Sequence, residues 1–220
     1  MNFYSLTQIK SIMRKRVYLS FAILIAGFAF YLIGCNSPSN EKKEQGNGTE
    51  AKTMTKEDMV KRGDYIVTTA SCNDCHSPKV MTQMGPVEDS TKLLSGHLAN
   101  EPLPPLDTKP TQPGNWMYLA PDLTTFVGPW GISYTANLTP DSATGIGAWS
   151  EQTFINTIRN GKHLGNGRPI LPPMPWNYVA KLTDDDLKAV FAYLKSLPAI
   201  SNRVPAPVSP PDVAKMAAKK

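Results

Sequence analysis

Cysteine and histidine are scarce in this chain. Its 220 residues include three of each, so any metal or redox site must be built from very few ligands. Charge is also thin, with 19% Asp, Glu, Lys and Arg, which excludes a charge-rich disordered chain. No alternating run long enough to announce a strand is evident, and no internal repeat. An excess of one charge sign is missing as well. The net charge of +5 includes Lys10, Arg14, Lys15 and Arg16, and residues 35–220 carry 19 basic against 18 acidic side chains. That balance excludes a basic nucleic-acid binder. Hydrophobic residues make up 41%, enough for one core and too few for a polytopic membrane protein. The length fits one medium domain with appendages.

Proline, by contrast, is plentiful. Ten of the 20 prolines fall between Ser77 and Trp149, which points to a loop-rich middle rather than long helices.

The one long apolar run lies near the start. Four positive charges in Lys10–Arg16 precede 17 uncharged residues, Val17–Ile33. Leu32-Ile33-Gly34-Cys35 closes the run and resembles a bacterial lipobox, in which the Cys is lipidated and becomes the mature N-terminus. On this reading residues 1–34 are a signal peptide. Residues 35–53 are then a lipidated Cys35 and a polar, flexible tether. Several acyl chains on one Cys would anchor stably, because each buried CH₂ contributes about 0.8 kcal/mol. The alternative is an uncleaved membrane-spanning anchor, short for a span at 17 residues. Either places residue 36 onward outside the cytoplasm, most simply on the periplasmic side of the cell envelope.

Three helices are announced by their caps. Thr55 with Asp58 forms a capping-box pattern, flanked by Met54 and Met59 as a hydrophobic staple. Met59, Val60, Ile66, Val67 and Ala70 continue a partial helical stripe to Ser71, and Gly63 inside it permits close approach of another backbone. Ser150 begins a second helix that carries Phe154, Ile155 and Ile158 on one face and stops at Asn160-Gly161. Thr183 begins a third, with Asp186 completing its box. Asp184, Asp185 and Asp186 crowd the positive end of the helix dipole, which explains this acidic run better than a metal site does. Leu187, Val190, Phe191 and Leu194 face inward until Pro198. These signals bound a mostly helical domain at 54–204, and the Pro/Ala/Lys-rich 205–220 is expected to be a loosely ordered tail.

Chemistry concentrates in Cys72-Asn73-Asp74-Cys75-His76. C-x-x-C-H is the attachment pattern for c-type haem. Two thiols three residues apart reach two vinyl groups of one porphyrin, and the next residue places an imidazole on the iron. The other readings fit less well. A thioredoxin-like pair lacks a surrounding βαβ pattern, a zinc half-site lacks a second ligand pair, and a structural disulfide does not need the histidine. The pattern occurs once, so one covalent haem c is expected, with His76 as an axial ligand.

The sixth iron position needs a ligand or stands open. Met174 is the candidate, in Leu171-Pro172-Pro173-Met174-Pro175-Trp176. A thioether suits haem iron, and the prolines stiffen the loop around it. His163 and, more weakly, His97 compete for this role.

These residues together resemble the monohaem class I cytochromes c, especially the cytochrome c modules associated with membrane dehydrogenases. The matching pieces are the helix leading into Cys72–His76, Asn137-Leu138-Thr139-Pro140-Asp141, Thr144-Gly145-Ile146-Gly147 and Trp149. Pro172–Trp176 and Leu182–Leu187 with Tyr193-Leu194 complete the match, over roughly residues 55–200. The resemblance implies a small all-α cytochrome c-like fold. Its first and last helices would cross around one covalent haem that exposes an edge, with Met59, Ile66, Val190, Phe191 and Leu194 at the crossing. Trp149 and Arg168 are placed, by position only, to bond the haem propionates. The departure is the length of the insertion, 73 residues from Ser77 to Trp149. Its Trp116, Tyr118, Trp130 and Tyr134 are expected to pack rather than form a docking face.

The function implied is a membrane-tethered electron carrier, not itself an enzyme. Its donor and acceptor would be redox proteins, met transiently or within one complex. Two alternatives stay open. One is a haem enzyme of peroxidase or oxidase type using His97 or His163 as acid or base. The other is a gas sensor that displaces Met174. Occupancy of the sixth position separates them.

Overall fold

The computed structural model describes residues 54–105 and 111–217. Within them lie helices α1 (Lys56–Thr69), α2 (Cys72–His76), α3 (Glu151–Asn160), α4 (Trp176–Val179), α5 (Asp184–Ser196) and α6 (Pro210–Ala217). Thr55 caps α1: its hydroxyl accepts from the Asp58 amide, and the Asp58 carboxylate accepts in return from the Thr55 amide. Ser150 caps α3 through the Thr153 amide, and Thr183 caps α5 through the Asp186 amide. The Asp186 carboxylate, which also accepts from the Thr183 backbone, accepts from Arg62 Nε at 2.9 Å and so joins α5 to α1.

Helix α1 lies on α5 with almost no space between backbones. A Cβ at Gly63 would collide with the Ala189 carbonyl and lie 2.6 Å from Tyr193 Cβ. Ile66 and Val67 from α1, with Leu187, Val190, Phe191 and Leu194 from α5, enter one core. Phe154, Ile155 and Ile158 from α3 join them, with the Phe154 and Phe191 ring centroids 5.4 Å apart. Each fully buried Leu here contributes about 1.5–3 kcal/mol. Arg159 fastens α3 to the turn before α5, donating to the carbonyls of Ala180 and Leu182.

The fold is not all-α. Two antiparallel sheets occupy the insertion. Strands β1 (Lys79–Thr82) and β2 (Gly85–Glu88) form a hairpin in which Lys79 faces Glu88. Strands β3 (Tyr118–Leu119), β4 (Thr125–Gly128) and β5 (Gly131–Tyr134) form a second sheet in that order, with Thr125 opposite Tyr134 and Val127 opposite Ile132. Among the described residues no strand exceeds four residues, too few for an alternation to be recognised. The ladder, rather than side-chain pattern, makes them strands.

The segment after α5 closes this second sheet. Ile132 and Val208 exchange both backbone hydrogen bonds, at 2.9 and 3.0 Å. Val213 of α6 is fully buried against Val127 and Ile132. Composition alone suggests a loose tail, but these contacts tie it down. No helix among the described residues is long and apolar enough to cross a membrane. Cys35, the lipobox and the tether lie outside the described residues.

Polar side chains join the insertion to the helices. Asn202, just beyond α5, donates to the carbonyls of Ser95 and His97 and accepts from the Ala99 amide. Asn137 donates to the Ile200 carbonyl and accepts from Thr139.

Candidate functional site

Helix α1 ends at Thr69, and Ser71 takes a left-handed conformation at φ 55° before α2 begins. This break sets the single turn Cys72–His76 at an angle of its own, beside the core that Cys72 touches. Both thiols are half-buried and unbridged. Burial, more than any neighbouring charge, pushes both up from the ordinary thiol range.

His76 is buried, and its Nδ1 lies 2.8 Å from the Ala136 carbonyl oxygen. A carbonyl only accepts, so Nδ1 carries the proton and Nε2 keeps its lone pair. Burial lowers the pKa of this imidazole, a shift only partly opposed by the Ala136 bond. The ring is therefore neutral at pH 7, the state in which histidine binds a metal. The ring is aimed by its surroundings. The Gly96 amide donates to the His76 carbonyl at 2.7 Å. Gly96 itself has φ 75°, and a Cβ there would sit 2.6 Å from the Thr135 oxygen, so only glycine lets the two segments meet. Lys79 Nζ donates to the carbonyls of Asn73, Asp74 and Ser77, satisfying the end of α2.

Met174 stands on a separate loop and is half-buried. The Pro172–Pro173 peptide before it is cis. The loop is held from β5, whose Ser133 hydroxyl donates to the Pro172 carbonyl at 2.7 Å while accepting from Trp130 Nε1. From the other side the Ile170 amide donates to the Gly161 carbonyl at 2.8 Å. Cys72, Cys75 and His76 thus share one helical turn, whereas Met174 is presented from elsewhere.

The remaining candidates separate clearly. Trp149 is half-buried against the main core, edge-on to the His163 ring at 5.5 Å. The backbone carbonyl of Arg168 accepts from the His163 amide, so Trp149 and Arg168 flank one exposed turn. His97 is 2% exposed and packs against the second sheet. Its Nδ1 lies 2.8 Å from the Thr124 hydroxyl and 3.1 Å from that of Thr125, and its ring rests on Tyr134. Of the insertion aromatics, Trp130 and Tyr134 make these internal contacts, while Trp116 is 80% exposed. An apolar groove of about 380 Å³, lined by Leu103, Tyr118, Val127, Ile132 and Met216, also lies on that sheet and includes none of the motif residues.

Nothing in the sequence singles out Ala136, Gly96 or Ser133. Two of them act through backbone groups, which leave no side-chain signature, and Ser133 is one serine among many. Among the described residues no three of His, Cys, Asp or Glu gather to hold a metal ion.

A buried imidazole directly after two thiols one helical turn apart is the donor set that a covalently attached haem calls for. The cytochrome c family model matches residues 60–198, and the chain belongs to that family. It is 30% identical over 135 residues to a gluconate 2-dehydrogenase cytochrome c subunit of Pantoea cypripedii, covering 61% of this chain and 22% of that one. A fructose dehydrogenase cytochrome subunit of Gluconobacter japonicus is 24% identical over 135 residues, 61% of this chain and 20% of its own length. The cytochrome c subunit of a quinone-type alcohol dehydrogenase of Gluconobacter oxydans is 25% identical over 137 residues, covering 62% and 21%. The matched region is thus less than a quarter of each of these relatives.

Proposed function

We propose that this protein carries single electrons between redox proteins through one haem c, and is not itself a catalyst. The observation that carries the reading is His76, buried and fixed through Nδ1, following Cys72 and Cys75 on one turn. That donor chemistry fits haem. Cys72 and Cys75 would hold it by thioether bonds, and His76 Nε2 and the Met174 sulfur would ligate the iron. Haem so bound supplies a reversible one-electron couple, and His/Met ligation raises its potential. Trp149 and Arg168 are the proposed propionate partners on the exposed turn.

The chain's part is to keep these groups still. The Ala136 carbonyl holds the imidazole, and the β5 hydrogen bond to Pro172 holds the methionine loop. Small movement between oxidation states keeps electron transfer fast. The named relatives support a dehydrogenase protein as donor, met in a weak transient encounter or within a standing complex. Lipid on Cys35 would hold the domain at the periplasmic face of a membrane and confine that search.

The test is absorption spectroscopy of the protein made with haem-attachment machinery, oxidised and reduced, with and without carbon monoxide. A low-spin spectrum with a sulfur-to-iron charge-transfer band, lost in Met174→Ala, is expected. A high-spin haem, or one that binds carbon monoxide readily when reduced, would overturn the closed site in favour of an enzyme or sensor.

A further inference from the structure

We propose that the Thr135 hydroxyl hydrogen-bonds a carboxylate of the bound haem. This inference rests on the haem reading above and adds to it a residue on the second sheet.

Thr135 is nine-tenths buried, and its Oγ1 alone among buried side-chain polar atoms of the described residues has no hydrogen-bond partner. Leaving such a group unpaired is costly, so a fold that keeps it has a partner in view. The backbone shows where that partner lies. Thr135 continues β5 in extended form, its amide donating to the Thr124 carbonyl at 3.0 Å. Along an extended chain, residues two apart face the same way. Thr135 therefore shares a face with Ser133, whose hydroxyl meets the Pro172 carbonyl of the Met174 loop. Tyr134 points the other way, onto His97. The next residue, Ala136, holds His76. The segment 133–136 thus runs from the Met174 loop to the His76 ring, a span of about 10 Å at 3.3 Å per residue.

Any haem held by those two residues lies alongside this segment. Once its vinyl groups are spent on Cys72 and Cys75, and its iron on axial ligands, its polar periphery consists of two carboxylates. A hydroxyl is a suitable donor to a carboxylate, and the charge-assisted bond is stronger than a neutral one. A methyl group at the same place would leave the carboxylate without this donor.

The full chain, loaded with haem, is compared with Thr135→Val and Thr135→Ser by resonance Raman spectroscopy of the propionate bending bands. A band shift to lower frequency in Thr135→Val, reversed in Thr135→Ser, is expected. An unchanged band in Thr135→Val that still carries low-spin haem would overturn this proposal while leaving the haem reading intact. Failure of the parent chain to attach haem, seen in its pyridine haemochrome spectrum, would overturn both. Should Thr135→Val not fold, nuclear Overhauser contacts in the parent decide. A contact between the Thr135 methyl and the propionate methylenes supports the bond, and its absence overturns it.

Discussion

The helical frame and the inserted sheet region are held together in different ways. In the frame, α1, α3 and α5 meet through Ile66, Val67, Phe154, Leu187, Val190 and Leu194. In the insertion, the buried residues are largely polar: Ser95, His97, Thr124, Thr125, Ser133, Thr135 and Asn137. Apolar packing is strong and tolerant of small shifts in contact. A buried polar network is worth little net per bond, but it penalises every misplacement. The frame supplies Cys72, Cys75 and His76, while the insertion supplies the bonds that orient His76 and fix the Pro172–Met174 loop. Bulk stability and fine positioning are thereby assigned to separate parts of the chain.

Substitutions on each side sharpen this contrast. The largest effect is expected in the frame. Gly63→Val places a branched side chain against the Ala189 carbonyl, and parting α1 from α5 costs about 3 kcal/mol. Chemical denaturation followed by helical circular dichroism should show the loss, and an unchanged midpoint would mean that the two helices can separate freely. An intermediate effect is expected at the joint. Asn202→Ala leaves the Ser95 and His97 carbonyls and the Ala99 amide without their partner, a loss of about 2 kcal/mol. Hydrogen exchange should rise at residues 95–99 before it rises in α5. Simultaneous opening of both would refute the division.

The smallest effect concerns the ion pair that ties α5 to α1. The Arg62 hydrogen bond, foremost, holds the Asp186 carboxyl below the usual carboxylate range. A carboxyl depressed in the folded state contributes stability above its unfolded pKa of about 4 and loses it as pH falls further. Arg62 is well exposed, so screening limits the contribution to below about 1 kcal/mol. Asp186→Asn should therefore lower stability slightly at pH 7 and leave it unchanged near pH 2. An equal deficit at both pH values would assign the effect to packing instead.

The same division governs what the sequence makes visible. Thr55, Ser150 and Thr183 mark helix starts because an N-cap hydroxyl at a fixed offset has a local cause. The Cys72–His76 spacing is likewise local. The Arg62–Asp186 bond is not, because its partners lie 124 positions apart. The strands escape notice since two to four residues carry no readable period, and Pro129 and Pro86 disguise them further. His97 is visible as a histidine, but its burial among Thr124, Thr125 and Tyr134 depends on a sheet register that no local pattern encodes. Ala136, the acceptor for His76, contributes only a carbonyl that every residue possesses.

The pairing of Ile132 with Val208 bears on how the protein can be handled and how it is made. A chain shortened at residue 204 would strip the outer margin of β5 and uncover Val127 and Ile132 beside it. An unprotected strand margin flanked by apolar side chains recruits strands from other molecules. During synthesis that margin stays open until Val208 and the helix after it emerge, long after the cysteine pair has been made. Val208 covers that margin and α6 lids the small core beside it, so a shortened version should precipitate at concentrations where the whole chain does not.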